Sequence, residues 1–516
     1  MKLTVYMDGD LPAGFKKLAD RAEDISSAFR SMSKGNFVVE FERPGAGLND
    51  TAKAMLFDSL QLMGINATNV KAQQKDGEKT EETLVFPGAI LSGEKGQVGI
   101  DFLEGQSNFN GLESLNNAEA LMEFKIAKAI MLLKRDAPPL VGYLAGNGQP
   151  LDLSVYDLIE NVMRKDYYFK ILPIDSVAAI PQDFKAIVIA KPSIPFSREQ
   201  RLKIDQYVMH GGKIIWAIDQ LYASMDSLQR SSGSFVAYDQ GLELDEQLFK
   251  YGVRVNLNLV QDLNCAKLPM VVGIDASGAP TIQRVPWPYY PFAQAGSEHP
   301  MVQNMDRVLT AFPASLDTVR ALGITKTILL TTDTTSRIIS SPTMIQLNSG
   351  QQEGELASFT KQHIPVAVLL EGQFKSAFTG RLTSSLMDSV QLATGKAFIT
   401  NGIKAAKQIV LSDADLITNF VDAQKGPLPM GMIPYEGVQF ANPVFFQNAI
   451  AYLNEPISLL EARKKNLVLR RLDAGKVAEN RLWIQLVLLL GPLFLLGLGY
   501  WGAYYSRQSR FAVSKS

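Results

Sequence analysis

From Leu482 to Tyr505 the chain reads LWIQLVLLLGPLFLLGLGYWGAYY, without one charged side chain. A helix rises about 1.5 Å per residue, so this run is long enough to cross the roughly 30 Å hydrocarbon core of a bilayer. It is expected to be a transmembrane helix over residues 482–505. Trp483 near one end, and Tyr500, Trp501, Tyr504 and Tyr505 near the other, sit where aromatic belts form, with Arg481 and Arg507 just outside. The competing reading, a buried core helix, is disfavoured because such helices seldom stay uncharged for so long. Within the run, Gly491-Pro492 is expected to loosen the helix near mid-depth. Gly499 and Ala503 form a small-xxx-small face that permits close helix packing, and the run reads equally well as a plain anchor. Orientation is not set by charge. Arg507, Arg510 and Lys515 follow the run, while Arg463, Lys464, Lys465, Arg470, Arg471, Lys476 and Arg481 precede it.

The rest is ordinary globular sequence. Of 516 residues, 20% are charged and 46% hydrophobic, which suits one span on a body of about three globular units. A formal net charge of −1 and the lack of a basic stripe exclude a nucleic-acid role. The single cysteine, Cys265, excludes an intrachain disulfide and a cysteine-rich metal centre. The opening MKLTVYMDGDLPAGF alternates like a strand at once, with no basic start followed by an apolar core. Read literally, it predicts a tail-anchored protein with a cytoplasmic body.

Along the chain, periodicity predicts a strand at Lys2–Met7, a helix at Ala13–Met32 and a strand at Phe37–Phe41. A helix at Asp50–Met63, a hairpin of Leu84–Leu91 with Gln97–Phe102, and a long helix at Asn117–Lys134 complete an N-terminal α+β domain, residues 1–136. Residues 137–265 alternate as α/β: strands at Leu140–Leu144, Tyr168–Pro173, Phe184–Ala190 and Lys213–Ile218, and helices at Val155–Lys165 and Ser197–His210. Ser197 and Gln200 hold capping-box positions and Gly211-Gly212 ends the second helix. Further on come a helix at Asp239–Tyr251 and a strand at Val253–Val260. This rhythm predicts a doubly wound, mostly parallel Rossmann-like sheet. The proline-rich 285–291 suits an extended edge or a crossing between domains. Strands at Ile324–Thr331, Val366–Gly372 and Lys407–Ser412, with a helix at Asn442–Leu453, make 266–455 a continuation of that body or a smaller α/β subdomain. Arg381–Gly395 has no clear period. Residues 456–481 read as a charged juxtamembrane helix and 506–516 as a short basic tail.

In such a sheet, chemistry is sought at the carboxyl ends of the strands. The loop Gly146-Asn147-Gly148 follows a strand and precedes a helix, so it is the candidate ligand loop, although a plain turn is favoured. It lacks the G-x-G-x-x-G spacing, and no phosphate-binding G-x-x-x-x-G-K-[ST] occurs. The histidines, His210, His299 and His363, are scattered, and Cys265 lacks a glycine elbow, so no catalytic residue, metal ligand or cofactor site is assigned. Asp413 and Asp415, after the strand ending at Ser412, could hold a cation but suit a turn or helix cap better.

The segments VYMDGDLPAGFKKLADRAEDISSAFR, GYLAGNG, FKAIVIAKPSIPFSREQRLKIDQYVMHGGKIIWAID, ANPVFFQNAIAYL and KNLVLRRLDAGKVAENRLWIQLVLLLGPLFLL, in that order, resemble the GldG family. These are the gliding-motility-associated ABC transporter auxiliary components of Bacteroidetes. The resemblance covers nearly the whole chain and implies an inner-membrane subunit with a periplasmic body, partnered by a multi-span ABC permease and a cytoplasmic ATPase subunit. It also implies a class I glutamine-amidotransferase-like sheet without catalytic residues. Members of that family have a membrane helix before the first strand, so a further segment is expected upstream of Met1. The rival functions are a periplasmic solute-binding module using the Gly146–Gly148 loop, and an envelope hydrolase or amidotransferase using Cys265 or an unrecognised serine.

Overall fold

The computed structural model describes the chain apart from residues 10, 74–79, 105–110, 232, 275–277, 350–352, 384–386, 389–390, 392–394, 457–458, 460, 465–480 and 512–516. It divides into two compact units, Met1–Asn466 and Leu467–Ser516.

The first unit opens with β1 (Lys2–Val5), α1 (Ala13–Met32) and β2 (Val38–Phe41), and β1 pairs with β2 in parallel. Phe15, Leu18, Ala22 and Ile25 recur at helical spacing along α1 and pack on Leu3 and Val5. Next come α2 (Asp50–Leu62), β3 (Thr68–Gln73), β4 (Thr80–Val85), β5 (Gly88–Gly93), β6 (Gly96–Asp101) and α3 (Gly111–Lys134). The sheet order is β2-β1-β5-β6, while β3 and β4 form a separate ribbon. The strand expected over Leu84–Leu91 is therefore broken at Phe86-Pro87, where proline has no N–H to give a ladder.

The larger sheet has ten strands. Its main path uses β7 (Leu140–Ala145), β8 (Tyr168–Pro173), β9 (Ala186–Ala190), β10 (Ile214–Ala217), β11 (Cys265–Ile274), β12 (Pro280–Ala295), β13 (Ile324–Thr331), β14 (Pro365–Gly372) and β15 (Ala406–Leu411), in the order β11-β12-β13-β14-β15-β10-β9-β7-β8. The sheet is mixed: pairing is parallel from β15 to β8 and antiparallel from β11 to β15.

Every residue of β9 and β10 is buried, which explains their unbroken apolar runs. Val188, Ala190, Ile215 and Ala217 face Phe445, Phe446 and Ile450 of α6 (Asn442–Asn454). Ile187, Ile189, Ile214 and Trp216 face Ile204 and Val208 of α4 (Arg198–Met209) and Leu248 and Tyr251 of α5 (Asp245–Tyr251). Helices thus lie on both faces of these strands.

Four further expected elements differ. Val155–Lys165 is not one α-helix: Leu153–Val155 is a 3-10 turn, Asp157–Met163 a π-helix and Arg164–Asp166 an α-turn. Contacts remote in sequence account for this, since Met430 N–H donates to the Asp157 carboxylate at 2.7 Å and Asn419 bonds both Asp157 N and Leu153 O. The prolines of 285–291 lie inside β12; β13 pairs only at Gln294 and Ala295, and beside the prolines Tyr289 O and Pro291 O accept the N–H groups of Phe312 (2.8 Å) and Thr310 (3.1 Å), bonds that need no proline N–H. Asp239–Tyr251 is helical only from Asp245, because Ser234–Asp239 pairs as a strand with Thr343–Gln346. Val253–Val260 splits into Val253–Val255 and Asn258–Asp262, each with its own partner strand. The stretch Arg381–Gly395 lies partly outside the described residues.

The second unit contains α7 (Arg481–Phe511), 31 residues that include the whole uncharged run and Pro492. Among the described residues no helix is long and apolar enough to cross a membrane. Several side chains of α7 (481–484, 487–488, 493 and 509–511) lie outside the described set. The juxtamembrane helix expected over 456–481 falls outside the described residues from 465 to 480, and the basic tail from 512.

Candidate functional site at the carboxyl ends of the parallel strands

Strand order brings four loops together at one end of the sheet. After β7 comes Gly146-Asn147-Gly148. Both glycines have positive φ, 135° and 73°, and a Cβ on Gly148 would lie 2.2 Å from Ser193 Oγ, so the close approach of the loop after β9 demands glycine there. Asn147 is buried, and its carbonyl accepts the N–H groups of Ser193 (2.9 Å) and Ile194 (3.1 Å). Its side-chain amide donates to Pro195 O (3.2 Å) and Gln200 Oε1 (2.8 Å). Gln200 in turn belongs to the capping box expected from the sequence: Ser197 Oγ accepts from Gln200 N at 3.2 Å, and Gln200 Oε1 accepts from Ser197 N at 2.8 Å. The candidate ligand loop is thus packed against β9 and the start of α4. Asn147 Oδ1 and Gln149 Nε2 are its two buried polar atoms without a hydrogen-bond partner.

Lys191 follows β9, Asp219 follows β10, and Asp413 and Asp415 follow β15. Lys191, at φ 46°, forms an ion pair with Asp415 and lies 3.6 Å from Asp219 Oδ2. Asp219 Oδ1 accepts the Ala414 N–H at 2.7 Å, and Asp413 Oδ2 accepts the Ala311 N–H at 2.7 Å. Asp413 Oδ1 accepts the Asp415 N–H at 2.8 Å, the turn that the Asp-Ala-Asp spacing suggested. Burial pushes the Asp219 carboxyl up to about 6 against the pull of Lys191. Burial, reinforced by the charges of Asp415 and Asp219, pushes Asp413 well above the ordinary carboxylate range. Burial alone would lower Lys191, but Asp415 and Asp219 outweigh it and hold the ammonium above its usual value. The cluster can hold protons among three carboxyls around one ammonium. The ammonium already supplies the cation that Asp413 and Asp415 could otherwise bind; among the described residues no group of three or more His, Cys, Asp or Glu side chains could hold a metal ion.

The other candidates lie elsewhere. Cys265 begins β11, at the opposite edge of the sheet, and burial pushes its thiol up to about 12, so it is protonated at neutral pH. His210 caps the end of α4 with Nδ1 2.7 Å from Gln206 O, as its position beside Gly211 suggested. His299 packs edge-on to Tyr452. Gly491, Pro492, Gly499 and Ala503 lie on α7, and a Cβ on Gly491 or Gly499 would meet nothing within 4 Å. Sequence reasoning missed Lys191 and Asp219. Their signal was a charged residue directly after a wholly apolar strand, at the end where this fold class places its sites.

A family model described as an ABC-type uncharacterized transport system matches residues 138–449, and one described as a domain of unknown function (DUF7088) matches residues 1–92. No curated protein matches. Among solved structures, the mmIFT52 N-terminal domain aligns with a TM-score of 0.33 at 11% identity, over 61% of this chain and 98% of that one. An exo-beta-1,4-mannosidase from Opitutaceae bacterium strain TAV5 gives 0.19 at 10% identity, over 59% of this chain and 35% of that one.

Proposed function

This chain belongs to the ABC-type uncharacterized transport system auxiliary family, and on that premise we propose that it is a non-catalytic, membrane-anchored subunit of an ABC transporter. Its body docks on a multi-span permease, and a separate cytoplasmic ATPase subunit hydrolyses ATP. In the narrower reading that the GldG resemblance supports, the complex serves gliding motility or envelope secretion, with the body in the periplasm and α7 in the inner membrane. The uncharged run within α7 supports the span. The body is read as a doubly wound, class I glutamine-amidotransferase-like sheet without that fold's chemistry; helices on both faces of β9 and β10 support this.

The observation that carries the proposal is that the family match spans the strands of the larger sheet, while the end of that sheet is filled by its own residues. Lys191 neutralises the carboxylates after β10 and β15, and Gly146–Gly148 is bonded to α4 and the loop after β9. Detergent-solubilised membranes carrying the affinity-tagged chain test it. Permease and ATPase subunits are expected to co-purify in fixed ratio through size exclusion. Recovery of the chain as a clean monomer would overturn the proposal.

A further inference from the structure

On the face of the body that carries α4, a cavity of about 210 Å³ is lined by Arg198, Arg201, Glu246, Gln247, Phe378 and Arg381. Arg198 and Arg201 come from the first turns of α4, where the helix dipole favours an anion. Three guanidinium groups therefore meet in a space too small for a drug-sized ligand. Glu246 offsets one of them through an ion pair with Arg381, and Glu243 lies 3.9 Å from Arg201. Arg198 donates to Arg381 O at 2.8 Å and Arg201 to Glu243 O at 2.9 Å, which fixes two of the forks while Arg201 Nε, buried, has no partner.

The floor of the cavity gives a second, independent sign. Gln247 is 2% exposed. Its Nε2 donates to Arg201 O (3.3 Å) and to Tyr251 OH (3.0 Å), so the amide orientation is set by a carbonyl that only N–H can face. Tyr251 OH in turn donates to Asp205 Oδ1 at 2.9 Å, and Asp205 also accepts from Ser376 Oγ and Ala377 N. Two buried atoms at the cavity thus remain unpartnered, the donor Arg201 Nε and the acceptor Gln247 Oε1. A ligand that completes this site must bring negative charge for the guanidinium groups and also an O–H or N–H for Gln247.

We propose that this cavity binds a protonated phosphate group, as inorganic hydrogen phosphate or as the singly ionised form of a phosphomonoester. Hydrogen phosphate carries both charge and a P–OH donor, and its oxygens match arginine forks. Sulfate has similar shape and charge but no proton to donate at neutral pH. The site lies apart from the Lys191 cluster and does not depend on the transporter reading.

Isothermal titration calorimetry on the purified full chain in detergent tests this with inorganic phosphate, glycerol phosphate, short-chain phosphatidic acid and sulfate. Saturable binding of inorganic phosphate is expected, weakened about tenfold or more by Arg201→Gln and by the surface pair Arg198→Gln/Arg381→Gln. Sulfate is expected to bind at least about tenfold more weakly, because it leaves Gln247 Oε1 unpaired. Tighter binding of glycerol phosphate than of phosphate would identify a soluble monoester as the ligand, and tighter binding of short-chain phosphatidic acid a lipid headgroup. No saturable heat with any phosphate at about 1 mM, equal affinity for sulfate, or binding unchanged in both sets of variants would overturn the proposal. Circular dichroism of the surface pair, whose side chains lie outside the core, confirms that loss of binding is not loss of fold.

Discussion

Lys191 is one-third exposed, yet it faces two carboxylates while a third, Asp413, is wholly buried behind them. Removing the ammonium leaves like charges facing one another, so Lys191→Met is expected to destabilise the body by about 1–3 kcal/mol in urea unfolding. Adding Asp415→Asn should recover part of that loss, and a double variant no more stable than Lys191→Met would refute the pairing. Asp219 and Asp413 titrate in the opposite sense to a surface ion pair. Asp219 holds its proton up to about 6, against 3.8 when unshifted, so its contribution to stability is complete below about pH 4 and is lost as pH rises through 6. Asp219→Asn keeps an acceptor for Ala414 N–H but cannot ionise. Its unfolding free energy relative to wild type should rise by up to about 3 kcal/mol between pH 4 and 7, with parallel curves sinking the assignment. Only part of this cluster was legible in sequence. Asp413 and Asp415 announced a turn by spacing, whereas their meeting with Lys191 and Asp219 depends on the spatial order β15-β10-β9, which no local pattern encodes.

Among elements, α4 is the one whose ends the sequence described most fully: Ser197 and Gln200 at its start, His210 and Gly211 at its stop. Replacing Ser197 by alanine removes one cap bond and should cost about 1 kcal/mol. Gln200→Ala should cost more, about 2–3 kcal/mol, because Gln200 also accepts from Asn147 and donates to Asp175 at 2.8 Å, joining the β7 loop to the helix. Equal losses in chemical denaturation would show that the loop does not depend on that amide. Strands β9 and β10 were legible for a related reason: burial on both faces leaves an apolar run with no alternation to misread. The antiparallel side was less legible. In β12 the prolines read as an extended edge or a crossing between domains, since sequence does not show that the carbonyls beside them find donors in Thr310 and Phe312, and the π-helix at Asp157–Met163 follows from Asn419 and Met430, far along the chain.

At the scale of the molecule, the small sheet and the large one are joined by charge as well as by apolar contact. Lys125 of α3 donates to the carbonyls of Asp101, Phe102 and Glu104, and Glu104 pairs with Lys165 at 3.3 Å. Burial would raise Glu104, but Lys165, Lys125 and Lys128 outweigh it and hold its carboxyl down to about 2. Arg463, 2% exposed, donates to Pro300 O at 2.8 Å and Asn448 Oδ1 at 2.6 Å and stacks over Phe124. The first unit therefore holds Arg463 by its own contacts, and cutting after Asn466 leaves these bonds intact. This separates attachment from folding in one experiment. The full chain should stay in the membrane pellet through an alkaline carbonate wash, while the chain ending at Asn466 should be recovered folded in the supernatant. Release of the full chain, or retention of the shortened one, would reject α7 as the anchor. If α7 also contacts the permease, Gly499→Leu with Ala503→Leu should lower recovery of the complex while leaving the carbonate-resistant fraction unchanged, because bulk on the small-residue face blocks helix approach without reducing apolarity. Unchanged recovery would leave α7 an anchor alone, and docking would then rest on the body.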